Sequence, residues 1–303
     1  MRQHNWRPFV LILAVLGTGT PVRAQVQLEW KLREGDTFYL HTTGTTRQTL
    51  KLMGTPIQQE FETASVDRYK VVKKTSDQIV LEKTIESMKV KASGQGADVA
   101  DQMAQKVKGA VFLVTLDPRT NMVTKVDGVS AFVKKVFADN PIMQKTLSAT
   151  LSDDSVRDEQ QNVLLGYLFD KPVRKGDKWT RKSRIHLGPM GGFATDGEFT
   201  YQGKSPANGA PLDRIDAAWT LTYTLPKEKG GLPFEITKGK FNAPTAKGTY
   251  WFDSSAGKLV QLERQYTIKG TITMSTLGQE MEMEMEMDQS SKIRLLDQAP
   301  KSE

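Results

Sequence analysis

The sequence predicts a mainly β protein: two related antiparallel curved sheets or half-barrels with a short helical segment between them. Segments rich in Val, Ile, Thr and aromatic residues, parted by short polar or glycine turns, fill most of the chain. One central stretch changes its apolar period from two to that of a helix. Two short motifs before that break recur after it in the same order.

Residues 1–24 read as an export signal. Arg2 and Arg7 give a positive start, "PFVLILAVLG" is an apolar run too short for a bilayer span of about 20 residues, and "VRA" ends on the small Ala24. Cleavage near Ala24 predicts a periplasmic or secreted protein. No second apolar span follows, so an integral membrane protein is not expected. The chain has no cysteine, which excludes disulfides, thiolate metal sites and a cysteine nucleophile. Losing Arg2, Arg7 and Arg23 with the signal lowers the formal charge of +7 by three. The remaining lysines alternate with acids and form no clustered patch, so no nucleic-acid partner is expected.

The first β half is placed at 25–128, with strands in "DTFYLHTT", "DRYKVVKK", "QIVLEKTI" and "AVFLVTL". A weaker helix is read from Ala97 to Lys108, ended by Gly109. The helical segment is placed at 129–170. In "VSAFVKKVFAD", Val129, Phe132, Val133, Val136 and Phe137 form one stripe, and Asn140-Pro141 stops it. A second helix fits "DDSVRDEQQNVLLGYLFD", N-capped by Asp153 or Asp154, with Val156, Gln160, Val163, Leu164 and Tyr167 facing inward. The second β half is placed at 171–298, with strands in "AAWTLTYTL", "GTYWFD" and "KLVQLERQYTI". "GPMGGFATDGEF" reads as a loop or wide hairpin. The recurring motifs are "EGDTFY" with "KGDKW", and "FLVTLDPRTNMV" with "TYWFDSSAGKLV". Their spacing is similar, from Asp36 to Asp117 and from Asp177 to Asp253.

"EMEMEMEMD" alternates acid and thioether. A helix would scatter the methionines, whereas a strand puts them on one face and the acids on the other. A hairpin turning over Thr276 to Gln279 pairs Met281 with Met274, Met283 with Ile272, Met285 with Gly270 and Met287 with Ile268. On the reverse face Glu286 meets Lys269 and Asp288 meets Thr267. A one-residue slip would mix the two faces, so the pattern fixes the register. Met274, Met281, Met283, Met285 and Met287 are the candidate ligand-binding residues. Thioethers also select monovalent copper, but alternate residues on a strand lie about 6.7 Å apart, so neighbouring sulfurs must lean together to share an ion. The acids read as a solvated face.

His41 and His186, the two histidines beyond the signal, lack partners at catalytic or metal-binding spacing. No "GxSxG" elbow or P-loop occurs. The chain is therefore not expected to be an enzyme, and neither a cofactor nor a metal is assigned.

"SDDSVRDEQQNVLLGYLFDKPVRKGDKW", "REGDTFYLHTTGTTRQTLKLMG" and "GTYWFDSSAGKLVQLERQYTIKG" resemble a family of uncharacterised exported bacterial proteins, a domain of unknown function of planctomycete type. That resemblance spans Leu28 to Leu296 and implies no catalytic or binding residue. The β halves are also similar in outline to the half-barrels that carry lipoproteins across the periplasm, a likeness of fold alone. The expected function is a non-enzymatic exported binding protein. A concave apolar face would hold a lipid-like ligand or a partner protein of the envelope. The alternatives are copper binding on the methionine strand and a purely structural envelope role.

Overall fold

Eleven antiparallel strands, most of them long, form one sheet that does not close. The structure, a computed structural model, describes residues 25–94, 97–207, 209–226 and 232–300; the expected export signal lies outside them. In chain order the strands are β1 (Thr37–Leu52), β2 (Thr55–Lys74), β3 (Ile79–Ser93), β4 (Val111–Asp117), β5 (Met122–Asp127), β6 (Lys178–His186), β7 (Gly192–Ala207), β8 (Ala210–Thr224), β9 (Glu235–Asp253), β10 (Lys258–Thr276) and β11 (Gln279–Leu296). Their spatial order is β5-β4-β3-β2-β1-β11-β10-β9-β8-β7-β6. The two β halves are therefore two meanders joined edge to edge, with the seam running from Tyr39↔Leu296 to Leu52↔Met283.

The internal repeat occupies equivalent places in the two meanders. Arg33 N–H donates to Asp36 Oδ2 at 2.7 Å just before β1, and Arg174 N–H donates to Asp177 Oδ2 at 2.8 Å just before β6. Gly35 N–H donates to Val71 O and Val71 N–H to Asp36 O; Gly176 N–H donates to Tyr201 O and Tyr201 N–H to Asp177 O. Both glycines have positive φ, 88° and 94°, a conformation that suits a residue without Cβ. Each turn delivers an aromatic residue that stacks on its cross-strand partner, Phe38 on Tyr69 and Trp179 on Phe199. The second repeated motif makes the fourth hairpin of each meander. Arg119 N–H donates to Asp117 Oδ1 and Ser255 N–H to Asp253 Oδ1, both at 2.9 Å.

The helices are α1 (Ala97–Val107), α2 (Val129–Val136), α3 (Pro141–Thr150) and α4 (Asp153–Gln160), which runs on into a π-helical turn, Gln161–Leu165. Val129, Val133 and Phe137 are buried, as the stripe predicts. Asn140 does more than stop α2: its side chain accepts from Met143 N–H at 3.0 Å and caps α3, a helix the sequence reading lacks. The N-cap of α4 is Ser152 rather than Asp153 or Asp154, in a reciprocal capping box with Ser155. Asp153 instead accepts from Val129 N–H at 2.9 Å, tying α4 to the start of α2. Val156, Gln160, Val163, Leu164 and Tyr167 are all buried, as expected.

One continuous core joins the meanders. Phe38, Tyr69 and Val114 from the first half share it with Trp179, Phe199 and Phe252 from the second, and Leu164, Tyr167 and Trp30 lie between. Trp30 Nε1–H donates to Leu164 O at 2.8 Å. Among the described residues no helix is long and apolar enough to cross a membrane, which says nothing of a β-barrel.

Candidate ligand-binding site

The methionine strand adopts the predicted register throughout. Met281 lies opposite Met274, Met283 opposite Ile272, Met285 opposite Gly270 and Met287 opposite Ile268. The turn at its tip places Leu277 and Gly278 at φ 51° and 83°, the left-handed pair of a type I′ hairpin. Its acids face outward, where Glu286 pairs with Lys269 at 2.5 Å, Glu284 with Lys51 at 3.0 Å and Glu280 with Lys238 at 3.8 Å.

The structure gathers Met274, Met283, Met285 and Met287 into two adjoining apolar clusters at the end of the sheet remote from Trp30, while Met281 lies opposite Met274 outside both. Met274 and Met283 pack with Ile236 and Ile272, and Met285 packs with Phe193, Leu221, Tyr266 and Ile268. Met274, Met283 and Met285 are buried, while Met281 and Met287 are only half-buried. Leu50, Leu52, Phe234 and Phe241 complete a half-buried apolar rim across β1, β11, β10 and β9. Long unbranched thioethers suit such a surface because they repack around varied apolar shapes.

The wide concavity of the molecule lies on the opposite face. Cross-strand pairs place Lys292 with Glu263 and Thr43, and Glu62 with Lys91, on the side away from Leu262, Tyr266 and the methionines. There the sheet curls across seven strands, β3 to β8, around an open trough of about 1070 Å³. Its walls are hydroxyls and ion pairs: Arg214–Asp216 and Lys292–Glu263 at 2.8 Å, Lys91–Glu62 at 4.0 Å. The sequence reading expects the ligand on a concave apolar face; this open trough instead lies on the polar side of the strands, opposite the methionines.

The residues considered for catalysis are dispersed. His186 hydrogen-bonds Asp158 Oδ2 at 2.9 Å at the β6 edge, and Arg157 holds the other oxygen of that carboxylate. His41 sits between Arg294 and Val66 on the trough face. Among the described residues no group of three or more His, Cys, Asp or Glu is placed to hold a metal ion. The "GPMGGFATDGEF" stretch is a 3₁₀ turn, Gly188–Met190, followed by β7, so Asp196-Gly197 is strand rather than turn.

Sequence reasoning missed Arg264. In Leu262-x-Arg264-x-Tyr266-x-Ile268 it occupies an inward position of an alternating strand, and a charge at such a position is the signal that could have found it.

No family model matches the chain, and no curated protein matches it in sequence. The planctomycete-type likeness thus stays with the residues that suggested it. Among solved structures, one of lipovitellin, concerned with lipid–protein interactions, aligns with a TM-score of 0.41 and 10% identity. It covers 89% of this chain, which spans only 26% of that one. An outer membrane channel from Pseudomonas putida F1 gives 0.25 and 6%, over 88% of this chain and 97% of that one. A DUF1329 family protein from Desulfovibrio piger gives 0.12 and 10%, over 86% and 84%. At these scores the likenesses carry no argument.

Proposed function

We propose that the protein is a non-enzymatic exported binding protein that holds a lipid-like apolar ligand against the methionine end of its open sheet. The observation that carries this reading is the half-buried rim of Leu50, Leu52, Phe241 and Met287 around buried Met283 and Met285. An open sheet leaves that rim accessible from the side, and each ligand methylene laid on it would contribute about 0.8 kcal/mol. Association costs of about 4–15 kcal/mol mean that a ligand must cover most of the rim to bind at all.

Native mass spectrometry of the protein taken from its own compartment tests the reading. A retained small-molecule mass in the lipid range is expected, and it should disappear after delipidation and return on adding a fatty acid. A clean apo mass that takes up no added amphiphile would count against the carrier and favour an envelope protein as the partner.

A further inference from the structure

Beneath the π-helical turn lies a second, largely enclosed pocket of about 50 Å³ on the apolar face of β6 to β10. Its floor is Trp219, which lies flat because both flanking positions are glycines. A Cβ at Gly197 would come within 2.9 Å of the indole Cδ1, and one at Gly248 within 2.7 Å of its Cη2. Its roof is Gln161 and Asn162, pinned to both edges of the sheet. Gln161 accepts from Val123 N–H at 2.6 Å and donates to Asn121 O at 3.0 Å, while Asn162 donates to Arg184 O at 3.1 Å. A π-helical turn is rare and concentrates at functional sites.

The lining is cationic. Arg264 and Arg181 supply its charge, and no Asp or Glu lines it. Arg264 is half-buried: its guanidinium lies by the Tyr266 hydroxyl, its Nε is enclosed without a hydrogen-bond partner, and among the described residues it forms no ion pair with a carboxylate. Arg181 gives Nη2–H to Leu168 O at 3.0 Å and has further N–H groups to offer. Lys182 turns its ammonium outward toward Asp196 at 3.7 Å. Other inward-facing charges are matched: Lys83 has Asp67 at 3.1 Å, and Asp213 has Lys204 and the Tyr201 hydroxyl. An enclosed guanidinium N–H left unpaired is unfavourable, and an oxyanion answers it with a charge-assisted hydrogen bond. The volume exceeds the roughly 30 Å³ share of one water and suits a compact group.

We propose that this pocket binds a compact oxyanion, a carboxylate or phosphate group, with Arg264 as its principal ligand. Ser183 and Thr195, whose hydroxyls lie 2.5 Å apart at its edge, supply further donors. Trp219 and Tyr266 belong both to this pocket and to the cluster around Met285. An amphiphile with its acid at Arg264 would therefore continue over the methionine face, although the anion site stands without the carrier reading.

The test titrates the full chain calorimetrically with dodecanoate, methyl dodecanoate and inorganic phosphate. Wild type is compared with Arg264→Gln, Arg264→Lys and Arg181→Gln, each checked for its fold by circular dichroism. Dodecanoate binding should weaken at least ten-fold in Arg264→Gln, less in Arg264→Lys, and measurably in Arg181→Gln, with the methyl ester unaffected. Phosphate binding with the same dependence on Arg264 supports the site with a free ion as its ligand. Equal dodecanoate and phosphate affinities in wild type and Arg264→Gln, or no binding of either anion to wild type, would overturn it. Binding of the methyl ester alone would refute the anion site and leave the carrier standing, whereas binding of phosphate alone would do the reverse.

Discussion

Lys83 is only 6% exposed, beneath α4, with its ammonium 3.1 Å from Asp67 and 5.8 Å from the centroid of the Tyr69 ring. Burial opposes its charge, but Asp67, and beyond it Tyr69 and Glu159, outweigh that and raise the ammonium's pKa. Removing one partner strands the other, so Lys83→Met should destabilise the fold by about 3–5 kcal/mol, while adding Asp67→Leu should recover most of the loss. Chemical denaturation of the four members of this cycle checks it; additive losses would contradict the pairing. The aspartates of the second repeated motif, Asp117 and Asp253, make a pH prediction. Hydrogen bonds from the Ser255 hydroxyl and Ala256 N–H lower the Asp253 pKa, and the Arg119 N–H does most to lower that of Asp117. A depressed pKa means that stability is present above the unfolded value near 3.9 and is lost as pH falls through the folded one. Both carboxyls should titrate below the ordinary range by NMR, and Asp253→Asn should flatten the acid limb of the stability curve.

Within the β10–β11 hairpin, burial overrides propensity. Glu and Met favour helices, yet Ile268, Ile272, Met274, Met283 and Met285 are dry only in a strand of this register. That is why the register was legible from sequence: from Ile268 to Met274 every inward residue has a methionine partner. Leu277 at the tip is fully exposed and left-handed, a conformation that Asn tolerates and a branched apolar residue does not. Leu277→Asn should raise the unfolding midpoint, by roughly 0.5–1 kcal/mol in stability, since it adopts the turn without strain. A lower midpoint would show that the tip is held by something other than turn chemistry. Other elements hid for physical reasons. The α3 segment "PIMQKTLSAT" carries a weak apolar stripe, so only its Asn140 cap betrays it. Ser152 was overlooked because two acids follow it and match an N-terminus equally well.

At the scale of the molecule, the mainly β class and the internal repeat were legible, because turn aspartates and strand composition are local signals. The joining of both halves at β1–β11 and the shared core depend on contacts between residues far apart in sequence, such as Phe252 with Trp30. Since both meanders contribute to that core, calorimetry should show one cooperative transition with equal calorimetric and van't Hoff enthalpies. Two separable transitions would mean independent halves.

Photo-crosslinking with a diazirine-bearing fatty acid tests the assignment of the ligand surface most directly. Label should fall on residues 281–287 and on Leu50 and Leu52, and excess fatty acid should compete it away. Label confined to the trough, on Lys247 or Lys292, or no competable label at all, would contradict a ligand held on the apolar face.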